Sequence, residues 1–197
     1  MILLHLPFHG EWFVRWGGRT KKQNQHVVVR NQRRAVDFLI CDPQGRSHEG
    51  RGSRNEDYHA YGEKILAPAD GRVVTVIDGV PDNLPGSMNP YVAVGNCIII
   101  QHTERRFSVL AHLQPSTCRV KAGSRVRQGQ TIGRCGNSGN SSEPHIHFHL
   151  QDTATLQDGL GITPYFQTVH VARRGTSTCK RRYTPVRGDR VRQEVTC

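Results

Sequence analysis

The segment from Cys135 to Leu150 constrains the fold of this chain more than any other, because it joins a turn-rich stretch to an alternating one. Residues 135–144 read Cys-Gly-Asn-Ser-Gly-Asn-Ser-Ser-Glu-Pro and lead directly into His145-Ile146-His147-Phe148-His149-Leu150. A period of two is strand periodicity, so His145, His147 and His149 are expected on one face of an extended segment. Neutral imidazole is the commonest protein ligand for zinc, and three crowded histidines are poor packing material. A metal site is the expected use of that face, with packing or a surface stripe as the plainer alternative.

The rest of the chain also has strand character. Trp12–Trp16, His26–Arg30 and Ala35–Ile40 are short apolar or alternating runs between polar turns. Gly71–Asp78 is rich in β-branched residues and follows the turn signal Ala67-Pro68-Ala69-Asp70. Cys97–Gln101 and Phe107–Leu113 flank Glu104-Arg105-Arg106 as a hairpin, and glycines space the stretch from Val120 to Gly136. No segment sustains a helical period. An all-β fold of short antiparallel strands in two layers is expected over residues 1–170.

From Val171 onward Arg173, Arg174, Lys180, Arg181, Arg182, Arg187, Arg190 and Arg192 crowd a stretch of little apolar content, expected to be a mobile basic tail over 171–197. The whole chain carries 27 Lys and Arg against 16 Asp and Glu, a net charge of +11 that favours polyanionic partners. Aromatic residues are too sparse for a base-stacking platform, so nucleic acid is not favoured. No stretch has the length of a membrane-spanning helix. The opening Met-Ile-Leu-Leu-His-Leu-Pro-Phe-His lacks the basic start and cleavage site of a signal peptide. The six cysteines include no Cys-x-x-Cys pair, which leaves zinc-ribbon and thioredoxin readings unsupported and the disulfide pairing open.

Three further positions are candidates to complete a metal site. Asp37 is a carboxylate inside the apolar run Ala35–Ile40, a costly placement unless it is paired or coordinated. An ion pair with Arg33 or Arg34 is the simpler explanation. His26 stands at the start of an apolar run and His112 within Phe107–Leu113; either alone would be an ordinary histidine.

Taken together, Ala67–Val74, Leu110-Ala111-His112-Leu113, Val120–Val126, Gly136-Asn137-Ser138-Gly139 and Pro144–Phe148 resemble the lysostaphin-type (LytM-like) zinc metalloendopeptidases of peptidoglycan. The resemblance runs from about Pro7 to Asp152. It implies a β-sandwich-like domain of the duplicated hybrid motif type, one zinc ion per chain, and cleavage of peptide bonds in cross-bridges or stems. It also implies an extracytoplasmic location, with the basic tail touching an anionic wall polymer. By the resemblance Asp37 and His147 would be zinc ligands, and His112 and His145 catalytic. His149 receives no role, since the family often has an acidic or neutral residue there.

One departure stands out. The family motif His-x-x-x-Asp would place a histidine four residues before Asp37, where this chain has Arg33, which has no lone pair to offer. Trp16-Gly17-Gly18 through Asn24-Gln25-His26 resembles relatives with a histidine there, making His26 the third expected ligand. Two antiparallel strands turning near Asn31-Gln32 would bring it to Asp37. A catalytically inactive, wall-binding or hydrolase-regulating relative is the alternative reading. A histidine phosphocarrier would use His112 and His145 but leave Asp37 unexplained.

Overall fold

A computed structural model of the protein describes residues 2–194. Its strands are β1 (Trp12–Trp16), β2 (Val36–Leu39), β3 (Lys64–Leu66), β4 (Gly71–Ile77), β5 (Asn96–Thr103), β6 (Arg106–Leu113) and β7 (Arg125–Val126). They continue with β8 (Thr131–Arg134), β9 (Ile146–Gln151), β10 (Gly161–Ile162), β11 (Phe166–Arg173), β12 (Thr176–Tyr183) and β13 (Arg190–Gln193). Short 3-10 turns are the only helical segments among the described residues, so the expected all-β class holds.

The main sheet runs β12-β11-β13-β1-β2-β9-β6-β5-β4-β7, with β10 added beside β9, and its named strand pairs are antiparallel. A second sheet of β3 and β8 lies over one face. Ile65, Ala67, Ile132 and Cys135 from that layer share a core with Val73, Ile98, Ile100, Leu110 and Phe148 of the main sheet. Strand alternation sends the intervening residues the other way: Ile99, Phe107 and Val109 form a smaller cluster with Val74, Ala154 and Leu156. Phe8 stacks on Trp12 at 4.5 Å and meets Phe38 edge-on at 4.9 Å, closing the core beneath β1 and β2.

The expected tail is corrected. Residues 166–193 supply three strands, and β13 inserts between β11 and β1 rather than trailing away. Val169, Val171 and Val191 are buried in the main core, while the arginines occupy exposed or partly exposed positions between them. One apolar face is enough for a strand, so a run with arginine on its outer face looks like a solvated tail in sequence. Arg174 and Gly175 both have positive φ (48° and 79°) and join β11 to β12 as a two-residue hairpin. Residues 195–197 of the expected tail lie outside the described residues.

His26 also departs from expectation. Gln25–Val28 is a 3-10 turn, not a strand. Asn24 caps it by accepting from the His26 N–H at 3.0 Å, and its amide nitrogen donates to the carbonyls of Gly18 and Ala35. That buried amide ties the turn to the residue preceding β2.

Candidate metal and catalytic site

The site is assembled by strand register. Asp37 of β2 lies directly opposite His147 of β9, and His147 lies opposite Ala111 of β6, the neighbour of His112. A one-residue slip in either pairing would send these side chains to the opposite face. The 3-10 turn then brings His26 over the same point. One donor atom each from His26, Asp37 and His147 lies within 4.8 Å of the others, and all three side chains are largely buried.

Asp37 bridges the two histidines. Its Oδ2 is 2.8 Å from His26 Nε2 and its Oδ1 is 2.8 Å from His147 Nδ1. Burial alone would push the Asp37 carboxyl up, but the two imidazoles outweigh it and hold the group well below the usual carboxylate range. Burial works to lower His26, and the charge and hydrogen bond of Asp37, with a Gln32 contact, reverse it to a raised value. For His147 burial prevails over Asp37 and favours the neutral ring. An anionic carboxylate between two imidazoles, one held neutral, is a donor set that suits zinc and leaves a fourth position for water or substrate. Among the described residues Asp37 pairs with His26, His145 and His147 rather than with Arg33 or Arg34, and Arg33 is exposed.

The other two expected histidines stand beside this group. His145 Nε2 is 3.9 Å from Asp37 Oδ2, and the ring centroids of His112 and His145 are 4.8 Å apart. His112 Nδ1 sits 2.8 Å from the Ser138 carbonyl, and His145 Nδ1 sits 2.8 Å from the Glu143 carbonyl. A carbonyl only accepts, so each Nδ1 carries a hydrogen and Nε2 is left as the atom through which each ring can exchange a proton. Burial, then the neighbouring His145 and His147, pushes His112 well below the ordinary imidazole value, so it is a neutral base at working pH. His145 precedes β9, so the expected row of three imidazoles on one strand contains only His147 and His149.

His112 has φ of +66°, an uncommon backbone state for a side-chain-bearing residue. Such strain persists only where surroundings enforce it. Here Gly136 N–H donates to its carbonyl and its own N–H donates to Val94. Ser138, which receives the ring, is itself locked: its hydroxyl donates to Leu113 and accepts from the Asn96 N–H. Gly139 has φ of +77°, and a Cβ there would lie 2.3 Å from the Gly95 nitrogen. The Gly-Asn-Ser-Gly block is thus a close-packed bracket for His112. Asp82 and Asn83 bind it from outside, through Asn137 N–H, Gly139 O and Ser141 O. Sequence reasoning missed Asp82 and Asn83 because their partners lie 55–58 residues along the chain, and Asn24 because a cap is recognised only once its turn is known.

The sequence matches Peptidase family M23 over residues 53–159, more than half of the chain. The chain belongs to peptidase family M23. That match contains His112, His145 and His147, whereas His26 and Asp37 lie before it and join the site only through the fold. Among M23 relatives, the peptidoglycan DD-endopeptidase ShyC of Vibrio cholerae is 31% identical over 133 residues, 68% of this chain and 28% of that protein. The cell division protein DipM of Caulobacter vibrioides is 28% identical over 113 residues, 56% of this chain and 16% of that protein. The chain spans less than a third of the length of either relative. The catalytic domain of the prophage-encoded M23 protein EnpA from Enterococcus faecalis shares the fold, with a TM-score of 0.51 at 18% identity over 81% of this chain and 94% of that one.

Proposed function

We propose that this M23 domain is a zinc-dependent endopeptidase acting on peptide bonds of peptidoglycan, in its cross-bridges or stems. The observation that carries the reading is the convergence of His26, Asp37 and His147 within 4.8 Å, with His112 and His145 beside them. The relative named a peptidoglycan DD-endopeptidase supports the substrate class. His26, with Nε2 2.8 Å from Asp37 Oδ2, supplies the ligand whose place Arg33 cannot fill, which favours the enzyme over an inactive binder.

In this reading His26, Asp37 and His147 hold one zinc ion. Bound zinc supplies Lewis-acid polarisation of a carbonyl and a water activated to a pKa of roughly 7. His112 and His145 keep Nδ1–H on backbone carbonyls, so each moves a proton only at Nε2. One Nε2 would accept the proton of the attacking water and, once protonated, return that same proton to the leaving amine, while the other ring stands beside it as a second acceptor for the water. The fixed rings make both transfers without reorientation. Action on peptidoglycan implies an extracytoplasmic location; no helix among the described residues is long and apolar enough to cross a membrane. The basic outer strands β11 to β13 would contact an anionic wall polymer.

The test is digestion of purified peptidoglycan and of pentaglycine, with and without chelator, read by mass spectrometry alongside zinc content. Wild-type protein is expected to bind about one zinc and to yield chelator-sensitive cleavage products. His26→Ala, Asp37→Ala and His147→Ala should each lose zinc and activity together. His112→Ala and His145→Ala should keep zinc while turnover falls by about 10²–10⁴. Full zinc occupancy in the first three variants, or wild-type turnover in the last two, would overturn the assignment.

A further inference from the structure

His149 and Gln151 occupy the same face of β9 as His147, two and four residues on, and both are fully buried. The three side chains form a continuous line. His147 Nε2 is 3.0 Å from His149 Nδ1, and His149 Nε2 is 3.0 Å from Gln151 Oε1. The Gln151 amide nitrogen then donates to the carbonyls of Thr153 at 2.8 Å and Thr155 at 3.3 Å. Asn31 directs its own amide nitrogen at Gln151 Oε1 from 3.5 Å, and at the Leu156 carbonyl.

The line has only one consistent direction. Two carbonyl oxygens at the far end accept and never donate, so the –NH₂ of Gln151 must face them. Its Oε1 therefore faces His149 and needs a hydrogen from His149 Nε2. A neutral His149 with Nε2–H has a lone pair on Nδ1, which accepts from His147 Nε2–H. His147 is left with its lone pair on Nδ1, 2.8 Å from the anionic Oδ1 of Asp37. Two lone pairs that close repel each other, and a cation held between them would turn that repulsion into two bonds.

We propose that His149 and Gln151 are positioning residues that fix His147 in the Nε2–H tautomer, so that Nδ1 is the atom presented to the metal. This rests on the zinc reading above but concerns a different property, the hydrogen position on His147. Ligating histidines commonly donate their second N–H to a carboxylate, carbonyl or water, and loss of that partner typically costs about 10–100-fold in metal affinity. Here the partner is a neutral imidazole relayed to an amide. It orients the ring without placing a second buried negative charge beside Asp37.

The experiment compares wild type with His149→Leu, which keeps bulk and removes the relay, and His149→Gln, which can both accept from His147 and donate to Gln151. Gln151→Leu interrupts the line one step later. Nitrogen-15 NMR of the metal-free protein reads the tautomer of His147, and chelator competition reads zinc affinity. Thermal melting confirms that each variant is folded. Wild type is expected to show Nε2–H on His147. His149→Leu and Gln151→Leu should lose that preference and bind zinc about 10–100-fold more weakly, while His149→Gln stays within a few-fold of wild type. An Nδ1–H tautomer in wild type, or unchanged zinc affinity in a folded His149→Leu, would overturn the proposal. Wild type that shows the Nε2–H tautomer but takes up no zinc would sink the zinc reading and leave the relay standing as a fixed hydrogen-bond chain. If His149→Leu does not fold, Gln151→Leu and the wild-type spectrum decide the question.

Discussion

Asn24 and Ser138 make no contact with a reacting group, yet each sets where a functional imidazole stands. Asn24 is a buried cap whose oxygen holds the His26 N–H and whose nitrogen holds two carbonyls. Replacing a capping Asn by Ala typically costs about 1 kcal/mol, and here it also frees the turn carrying His26. Asn24→Ala is therefore expected to lower stability by at least that amount in denaturant titration and to weaken zinc binding. Arg33→Ala, at an exposed position outside the donor group, should change neither. Equal zinc affinity in wild type and Asn24→Ala would show that His26 is held by something other than its cap. Ser138 acts through its backbone carbonyl, so its influence is felt by changing a neighbour. Gly139→Ala should destabilise the bracket and lower turnover, since a side chain at φ +77° would collide with Gly95.

At the scale of elements, the three C-terminal strands complete the sheet around β1. Removing residues 171–194 would strip β13 from β1 and expose Val14, Phe166 and Val169, all fully buried in the intact chain. Such a truncation is expected to lose its cooperative melt; a sharp transition near that of the full chain would contradict the sheet assignment. Within the segment, Tyr183 donates to Asp189 Oδ2 at 2.7 Å, and Asp189 also accepts from the Val186 N–H at 2.9 Å and lies 3.4 Å from Arg173. Burial first, then Asp189, raises the Tyr183 phenol above its ordinary value of 10.0. A raised folded-state pKa gives stability that is complete below the unfolded value and is lost as pH climbs toward the folded one. Above about pH 10, wild type should therefore lose stability more steeply than Tyr183→Phe, although the variant starts about 1 kcal/mol lower. Parallel slopes in alkaline denaturation would remove Tyr183 as the titrating group.

Across the whole molecule the charge is lopsided. The net charge of +11 includes Lys180 and Arg182 on β12, the strand at one edge of the main sheet, whose residues are nearly all exposed. Charged side chains on an edge strand discourage pairing with other sheets, so they have a structural use regardless of any partner. The contact proposed for an anionic polymer makes a separate prediction. Lys180→Glu with Arg182→Glu should reduce retention on such a polymer several-fold at low ionic strength, with the difference vanishing near 1 M salt, where screening acts within roughly 3 Å. Cleavage of a short neutral peptide should be unaffected. Retention that ignores both the variant and the salt would mean that the outer strands are not the contact surface.

Local patterns were enough to identify the strands Trp12–Trp16, Gly71–Ile77 and Arg106–Leu113 closely, because alternation and β-branching act between neighbours in sequence. They also isolated Asp37, His145 and His147, since a carboxylate in an apolar run and a His-x-His strand are unusual without a chemical reason, whereas His112 stands out only through the family resemblance. What the chain's linear order could not decide was the meeting of these groups. That depended on the register of β2 against β9 and of β9 against β6, and on a 3-10 turn docked by a buried asparagine. The arginine-rich stretch after Val171 reads as a tail because a strand needs apolar residues on one face only, and only the sheet shows which face that is. His149 is legible in sequence as part of the alternating histidines, but its role is not. Its hydrogen positions are set by Gln151 and the carbonyls of Thr153 and Thr155 beyond it, and such direction exists only when donors and acceptors are placed in space.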